Sequence, residues 1–119
     1  DLSGRALLTL GYDHRLNLTI QSIAEASGAH VSAEYEGTSL DAIRQMAEMG
    51  AGVAVFPSLY AMTEARRDPD LVVRRIDDPL ARREISLIWR HTSPLADRLP
   101  RLAEEFKTAA STILLGRIN

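Results

Sequence analysis

The fold is decided by residues 36–58, which read EGTSLDAIRQMAEMGAGVAVFPS. This pattern predicts a turn, a helix, a glycine stop, a buried strand and a second turn. Thr38 is placed to cap the helix, and Asp41 is placed to return the hydrogen bond of a capping box. Gly50 stands where helices commonly end in the left-handed conformation. Four apolar side chains recur at helical spacing and predict one buried stripe: Leu40, Ile43, Met46 and Ala47.

The second half of the same stretch predicts a strand and a place for a ligand. Residues 53–56 are short, apolar on both faces and followed by Pro57, as in a strand covered on both sides. The first turn of the preceding helix holds Thr38, Ser39 and free backbone N–H groups, which suit an anion or a polar small molecule. The simpler alternative is that Thr38 only caps its helix.

Strands and helices alternate over residues 5–76. Strands are predicted at residues 5–10, 31–36, 53–56 and 71–76. The second of them is predicted to place Val31, Ala33 and Tyr35 on one side. Strands separated by helices require parallel pairing and right-handed crossovers. We therefore expect a small α/β unit with a doubly wound, mostly parallel sheet.

The helices of this unit have their own signals in the sequence. Asp13 or Asn17 can cap the first helix, and Gly28 follows its end. Ser58 is predicted to cap a short helix that runs to about residue 67.

The C-terminal part is predicted to add one strand and one helix. Asp77-Asp78-Pro79 breaks the pattern, and residues 85–89 predict a fifth strand with Trp89 in the core. A helix is expected over about residues 97–115, where Pro100 is tolerated because it falls in the first turn. A stripe along this helix predicts a core-facing side: Leu99, Leu102, Phe106, Ala109 and Ile113.

The composition excludes several classes of protein. The chain has 119 residues, 45% hydrophobic and 25% charged, as in an ordinary soluble domain with its own core. A net charge of −2 gives no electrostatic basis for binding nucleic acid by itself. The absence of cysteine excludes disulfides and fits a cytoplasmic location. No stretch of the sequence is long and apolar enough to span a membrane. Asp1 is not an initiator residue, so we expect the chain to be cut from a longer protein.

Two blocks of sequence resemble the effector-binding domain of LysR-type transcriptional regulators. In that family a Thr-Ser pair opens a helix, a glycine-containing run ends it, and a strand closing in proline follows. Here these are Thr38-Ser39-Leu40, residues 46–52 and residues 53–57. The second block is Arg83-Glu-Ile-Ser-Leu-Ile-Trp-Arg90 with Ser93-Pro94-Leu95 after it. Upstream, the family's strand and "Gly-His-x-Leu" turn match residues 7–10 and 13–16, with Asp13 in place of the glycine.

The resemblance implies two α/β lobes, as in periplasmic binding proteins. Residues 1–79 would form the second lobe, and residues 80–119 would be the strand and helix that return to a first lobe absent from this chain. That strand and helix are expected to pack back locally, to pair with a second chain, or both. Within the family, the sequence of these blocks is most similar to that of the peroxide-sensing OxyR branch. There the reactive cysteine follows the histidine that corresponds to His14, whereas this chain has Arg15 and no cysteine anywhere.

The candidate site follows from where the strands end. In open parallel sheets, ligands bind outside the carboxyl ends of the strands. The residues at or after three such ends are expected to bind a small polar or anionic effector: His14, Arg15, Thr38, Ser39, Phe56, Pro57 and Ser58. His14 as a turn or capping group, and Arg15 as a solvated helix residue, are the alternatives. His30 and His91 have no neighbours at metal-ligand spacing, so neither a metal nor a cofactor is expected.

These observations favour a regulatory domain of a bacterial transcription factor. The effector would bind between two lobes, and DNA would be bound only through a missing N-terminal winged helix-turn-helix. A homodimer or higher homo-oligomer is expected. One alternative is half of a solute-binding protein. A second is a small flavodoxin-like enzyme, which the absence of a nucleophile elbow, a P-loop and a zinc signature makes the weaker hypothesis.

Overall fold

A computed structural model describes residues 1–115 of the chain. Three strands form one parallel sheet: β1 (Ala6–Leu10), β2 (His30–Gly37) and β3 (Val53–Ala54). The helices are α1 (Arg15–Ser27), α2 (Leu40–Glu48), α3 (Ser58–Thr63) and α4 (Leu99–Leu114). Two single 3₁₀ turns lie at Ala65–Arg67 and Pro79–Ala81. The predicted α/β class is confirmed.

The strand order β2-β1-β3 makes the sheet doubly wound. The chain runs from β1 through α1 to β2 on one side of β1, and then through α2 to β3 on the other side. The two crossover helices α1 and α2 therefore cover opposite faces of the sheet. Leu7 packs on the α1 side with Ile20 and Ile23, whereas Leu8 packs on the α2 side with Ile43. The central strand is therefore buried on both faces, and it fixes where α1 and α2 begin.

Helix α2 ends as predicted but begins one residue later. Its N-cap is Ser39, whose Oγ accepts a hydrogen bond from the Ala42 N–H at 3.2 Å, so the predicted Thr38 cap is wrong. Asp41 is no capping-box partner, because its carboxylate accepts a hydrogen bond from the Tyr60 hydroxyl. Gly50 adopts the left-handed conformation (φ +80°), as predicted. The predicted apolar stripe of α2 is confirmed, with Ile43 fully buried.

Two predicted strand details are corrected by the sheet. β3 pairs over two residues only, and Val53 is 36% exposed because β3 is an edge strand. β2 is interrupted, since Leu7 pairs with Val31 but Thr9 pairs with Glu36. The Ser32 Oγ accepts a hydrogen bond from the Tyr35 N–H within this irregularity. Ala33 and Tyr35 are consequently exposed, so the predicted alternation of β2 is wrong.

Residues 71–76 and 85–89 are not strands, contrary to prediction. A strand needs a neighbour that completes its ladder of hydrogen bonds, and neither segment pairs with the β2-β1-β3 sheet. Side chains in both segments face solvent, with Val72 77% and Ile88 88% exposed. Trp89 is 37% exposed, so its predicted place in the core is also wrong.

Helix α4 has the predicted position and an unexpected exposure. Pro100 lies in its first turn, as predicted. Its apolar stripe is not core within residues 1–115, because Leu102, Phe106 and Ile113 are all exposed.

The radius of gyration is 16.6 Å, against about 13–14 Å for a compact chain of this length. Over the described part of the chain, no helix combines the length and apolar character needed to cross a bilayer.

We expect Gly37→Ala to destabilise the fold by about 2 kcal/mol, because added volume in a packed core is poorly tolerated. A Cβ at Gly37 would lie 2.5 Å from Cγ1 of Ile43, which is fully buried and has no room to shift. Urea unfolding measures the change. In an Ile43→Ala background the same substitution should cost little, since Cγ1 is gone; an equal cost in both backgrounds would contradict this reading.

Candidate functional site

The carboxyl ends of the strands meet at a pocket of about 300 Å³. Its apolar wall comes from the residues that end β1, begin α1 and α2, and follow β3: Leu10, Leu16, Leu40 and Pro57. Its polar lining consists of His14, Arg15, Thr38, Ser39 and Arg83. Five of the seven predicted site residues therefore lie around one pocket, at the edge of the sheet where ligands bind in open α/β folds.

The start of α1 is held against the end of β1 by a buried amide. Asn17 is 2% exposed, and its Nδ2 donates a hydrogen bond to the Leu10 carbonyl at 2.7 Å. The N-cap residue of α1 is His14, without a side-chain capping bond, so the predicted caps Asp13 and Asn17 are wrong. His14 lines the pocket, directly before the helix that Asn17 anchors to β1.

Thr38 and Ser39 have different roles at the start of α2. The Ser39 hydroxyl is committed to the Ala42 N–H. The Thr38 hydroxyl is exposed and makes no hydrogen bond within residues 1–115. Of the two hydroxyls at the pocket, Thr38 is therefore the one with both its donor and its acceptor available to a ligand.

The residues after β3 contribute less than predicted. Pro57 lines the pocket, but Phe56 and Ser58 do not belong to its lining. Phe56 packs on the α2 side of the core, with its ring centroid 5.0 Å from that of Tyr60. Ser58 is the first residue of α3, whose N-cap is Pro57, so Ser58 is not the predicted cap.

Sequence reasoning missed Arg83 as a site residue and named it as the start of the second block that resembles the LysR family. Arg83 lines the pocket because the chain turns at Pro79–Ala81, and this turn contacts α1. The packing of Ala81 and Ile76 against the α1 cluster carries the segment across that helix. The apolar spacing of Ile76 and Ala81 was the available signal, but it does not specify which face of the sheet the segment crosses.

The lining is positively charged. Arg15 and Arg83 form no ion pair within the described residues, and no carboxylate belongs to the lining. Two acids adjoin lining residues in the sequence without belonging to the lining: Glu84 follows Arg83, and Asp13, whose Oδ1 lies 3.7 Å from Nε2 of His14, precedes that histidine. Such a pocket favours an anionic group over a cationic one.

A polar network supports α2 on the side away from its pocket end. Arg44 Nη1 donates to Oδ2 of Asp68 at 2.7 Å, and the Asp68 side chain is only 9% exposed. Burial raises the pKa of Tyr60, and its hydrogen bond to the Asp41 carboxylate raises that pKa further, so the hydroxyl stays a donor. This network ties α2 to α3 and to the turn after it.

One cluster of carboxylates has the spacing of a metal site among the described residues. Glu48, Asp68 and Asp70 bring one oxygen each within 4.8 Å of one another. Arg44 already pairs with two of them, at 2.7 Å to Asp68 and 3.7 Å to Glu48. The guanidinium occupies the position of a cation, which identifies the cluster as part of the network that supports α2.

Comparison with known families decides what this pocket belongs to. The model of the LysR substrate binding domain matches residues 1–111. The chain is a member of the LysR substrate-binding domain family. The predicted resemblance is thereby confirmed, and with it the periplasmic-binding-protein-like α/β fold of that family.

Curated relatives agree with this assignment. The DNA-binding transcriptional dual regulator OxyR of Escherichia coli (strain K12) is 34% identical over 107 residues, which is 90% of this chain and 35% of the relative. The hydrogen peroxide-inducible genes activator of Dickeya chrysanthemi is 33% identical over the same shares. That of Haemophilus influenzae is 30% identical over 97% of this LysR-family chain and 38% of the relative.

This chain thus spans little more than a third of the length of the curated relatives it matches. The predicted likeness to the OxyR branch of the LysR family is confirmed by these relatives. No solved structure matches the chain.

Proposed function

We propose that this LysR substrate-binding domain senses a small polar or anionic effector at the pocket beside α1 and α2. One observation carries the proposal: His14, Arg15, Thr38 and Ser39, which come from two separate loops, line a single pocket at the carboxyl ends of parallel strands. A volume of about 300 Å³ lies within the range of small-molecule sites.

The whole protein would be a transcription factor, because the relatives are named as a transcriptional regulator and as genes activators. A net charge of −2 gives this chain no electrostatic basis for binding nucleic acid by itself. DNA would therefore be bound by a winged helix-turn-helix outside this chain. The effector would act by changing the angle between two lobes, and so the spacing of paired DNA-binding heads.

Residues 1–79 would be the second lobe of the full effector domain. Residues 80–119 would return to a first lobe supplied by another part of the polypeptide. Two observations support this division: residues 85–89 face solvent without pairing, and α4, although it contacts α3, leaves Leu102, Phe106 and Ile113 exposed in the described chain. Both segments would gain a neighbour in the full protein, and we propose that the full protein is a homodimer or higher homo-oligomer in the cytoplasm.

The chemistry named in the relatives does not carry over to this chain unchanged. Two of the relatives described above are named for hydrogen peroxide. Thiol sensing needs a thiolate, and this chain contains no cysteine. Reversible binding of an effector at the pocket is therefore the function that the residues support best. None of the relatives' names is that of an enzyme, and we propose no catalytic role.

We expect Thr38→Val to weaken effector binding about tenfold, because it removes the one uncommitted hydroxyl at the pocket while keeping its shape. The intact protein is screened by thermal shift against small carboxylates and phosphates. Calorimetry then gives the affinity of each stabilising compound for the variant and the parent.

Thr92→Val is the matched control, since Thr92 is also exposed and does not line the pocket. It should leave the affinity unchanged. Equal affinities of the parent and a well-folded Thr38→Val protein would mean that the effector binds elsewhere.

A further inference from the structure

We infer that the effector carries two negative charges and that Arg15 and Arg83 recognise it together. The inference rests on the proposed function, because it names the ligand class of the same pocket. It adds one residue, Arg83, to the site and assigns Arg15 a role in selecting the ligand. The ligands of this class are small dicarboxylates and phosphate monoesters, which share a charge of −2 near neutral pH.

The two arginines reach the pocket from different parts of the chain. Arg15 is the first residue of α1. Arg83 follows the turn Pro79–Ala81, and this turn contacts α1. Both residues line the same pocket of about 300 Å³. Packing of the 79–81 turn on α1 is therefore what brings a second guanidinium to the site.

Neither arginine forms an ion pair within the described part of the protein, and Glu84, which follows Arg83 in the sequence, does not belong to the pocket lining. Arg44 and Arg75 each have a carboxylate partner, at 2.7 Å and 3.7 Å respectively. Arg15 and Arg83 have none within residues 1–115. Glu36 and Asp13 come close to Gly11 at the end of β1, but neither belongs to the lining.

Two like charges in one small pocket repel each other, and the repulsion is relieved by an opposite charge between or beside them. A monoanion offsets one guanidinium, whereas a dianion offsets both and can accept a forked hydrogen bond from each. The pocket should therefore discriminate by ligand charge. The uncommitted Thr38 hydroxyl then adds a neutral hydrogen bond to the same ligand.

The test compares ligands that differ in charge but little in size, using calorimetry on the intact protein at about pH 8, above the second phosphate pKa of about 6. Glutarate is paired with valerate, and methyl phosphate is paired with dimethyl phosphate, which keeps the phosphate but carries a single charge. At least one dianion should bind about tenfold or more tightly than its monoanionic counterpart. Which pair shows the preference distinguishes a dicarboxylate site from a phosphate site.

Arg15→Gln and Arg83→Gln should each reduce that preference to about twofold or less, since one of the two charges is then unmatched. Arg66→Gln is the control, because Arg66 is exposed and does not line the pocket. Unfolding by urea verifies that each variant folds. The inference is overturned if both monoanions bind as well as their dianions, if none of the four compounds binds in the low millimolar range, or if Arg83→Gln keeps the preference.

These outcomes separate the inference from the proposed function. If the arginine variants leave ligand choice unchanged while Thr38→Val still weakens an effector, the pocket is right and the charge assignment is wrong. If the dianion preference holds but the bound protein shows no change in affinity for its promoter DNA, the ligand class stands and the regulatory role fails.

Discussion

Ile43→Ala should destabilise the protein by about 3 kcal/mol, as large-to-small changes at fully buried positions do. Ile43 has no exposed surface and packs against Leu8 and Leu10 of the central strand. The loss is a large fraction of the 5–15 kcal/mol that stabilises a typical domain. Urea unfolding followed by circular dichroism gives the change in the free energy of unfolding.

Met49→Ala is the control for that measurement, because Met49 terminates the same helix and is 78% exposed. It should change stability by less than about 0.5 kcal/mol. If the two variants were equally stable, α2 would not be packed on the sheet as described, and the position of Thr38 at the pocket would lose its support.

Arg44→Met should destabilise the protein measurably. The substitution keeps much of the aliphatic length and removes the guanidinium, which leaves the nearly buried Asp68 carboxylate without its cation. Urea unfolding near neutral pH measures the loss.

The Asp68→Asn background tests the cause of that loss. An amide at position 68 carries no charge that could be left unpaired. It still offers an oxygen to the Asp70 N–H, which donates a hydrogen bond to Oδ1 of Asp68 at 3.0 Å. In this background Arg44→Met should cost much less. The same cost in both backgrounds would show that Arg44 stabilises the fold by packing of its stem and not by its charge.

Sequence reasoning was most successful for elements whose signals are local. Helix α2 combines a polar start, an apolar stripe and a glycine that ends it in the left-handed conformation. The adjoining strand β3 and the central strand β1 were predicted by short apolar runs. The predicted helix starts were off by a residue or more. Sequence spacing does not show which of two neighbouring residues is the N-cap, Thr38 or Ser39 for α2 and Asp13 or His14 for α1.

The prediction failed where structure depends on a distant partner. Residues 71–76 and 85–89 have the composition of strands, but a strand forms only when another edge accepts its hydrogen bonds. The apolar stripe of α4 has core periodicity, and α4 contacts α3, yet Leu102, Phe106 and Ile113 remain exposed in the described chain. Periodicity reports that a face is to be buried; it does not report which molecule or lobe buries it.

Only the part of the candidate site that follows from the topology of the sheet could be predicted from the sequence. Because parallel strands end at one edge, His14, Arg15, Thr38 and Ser39 could be placed together before the structure was known. Arg83 could not, because its position depends on how a non-helical segment crosses α1. The distinction between Thr38 and Ser39 also needed coordinates, since only the hydrogen bond to Ala42 shows which hydroxyl is free.

The amide of Asn17 has a consequence for the thermodynamics of recognition. By bonding the last carbonyl of β1, it makes the end of the strand and the opening turn of α1 one rigid corner. The cost of ordering that corner is then met when the chain folds, so the proposed effector beside His14 and Arg15 would have little backbone entropy left to remove. A rigid corner of this kind would allow tight binding with few contacts.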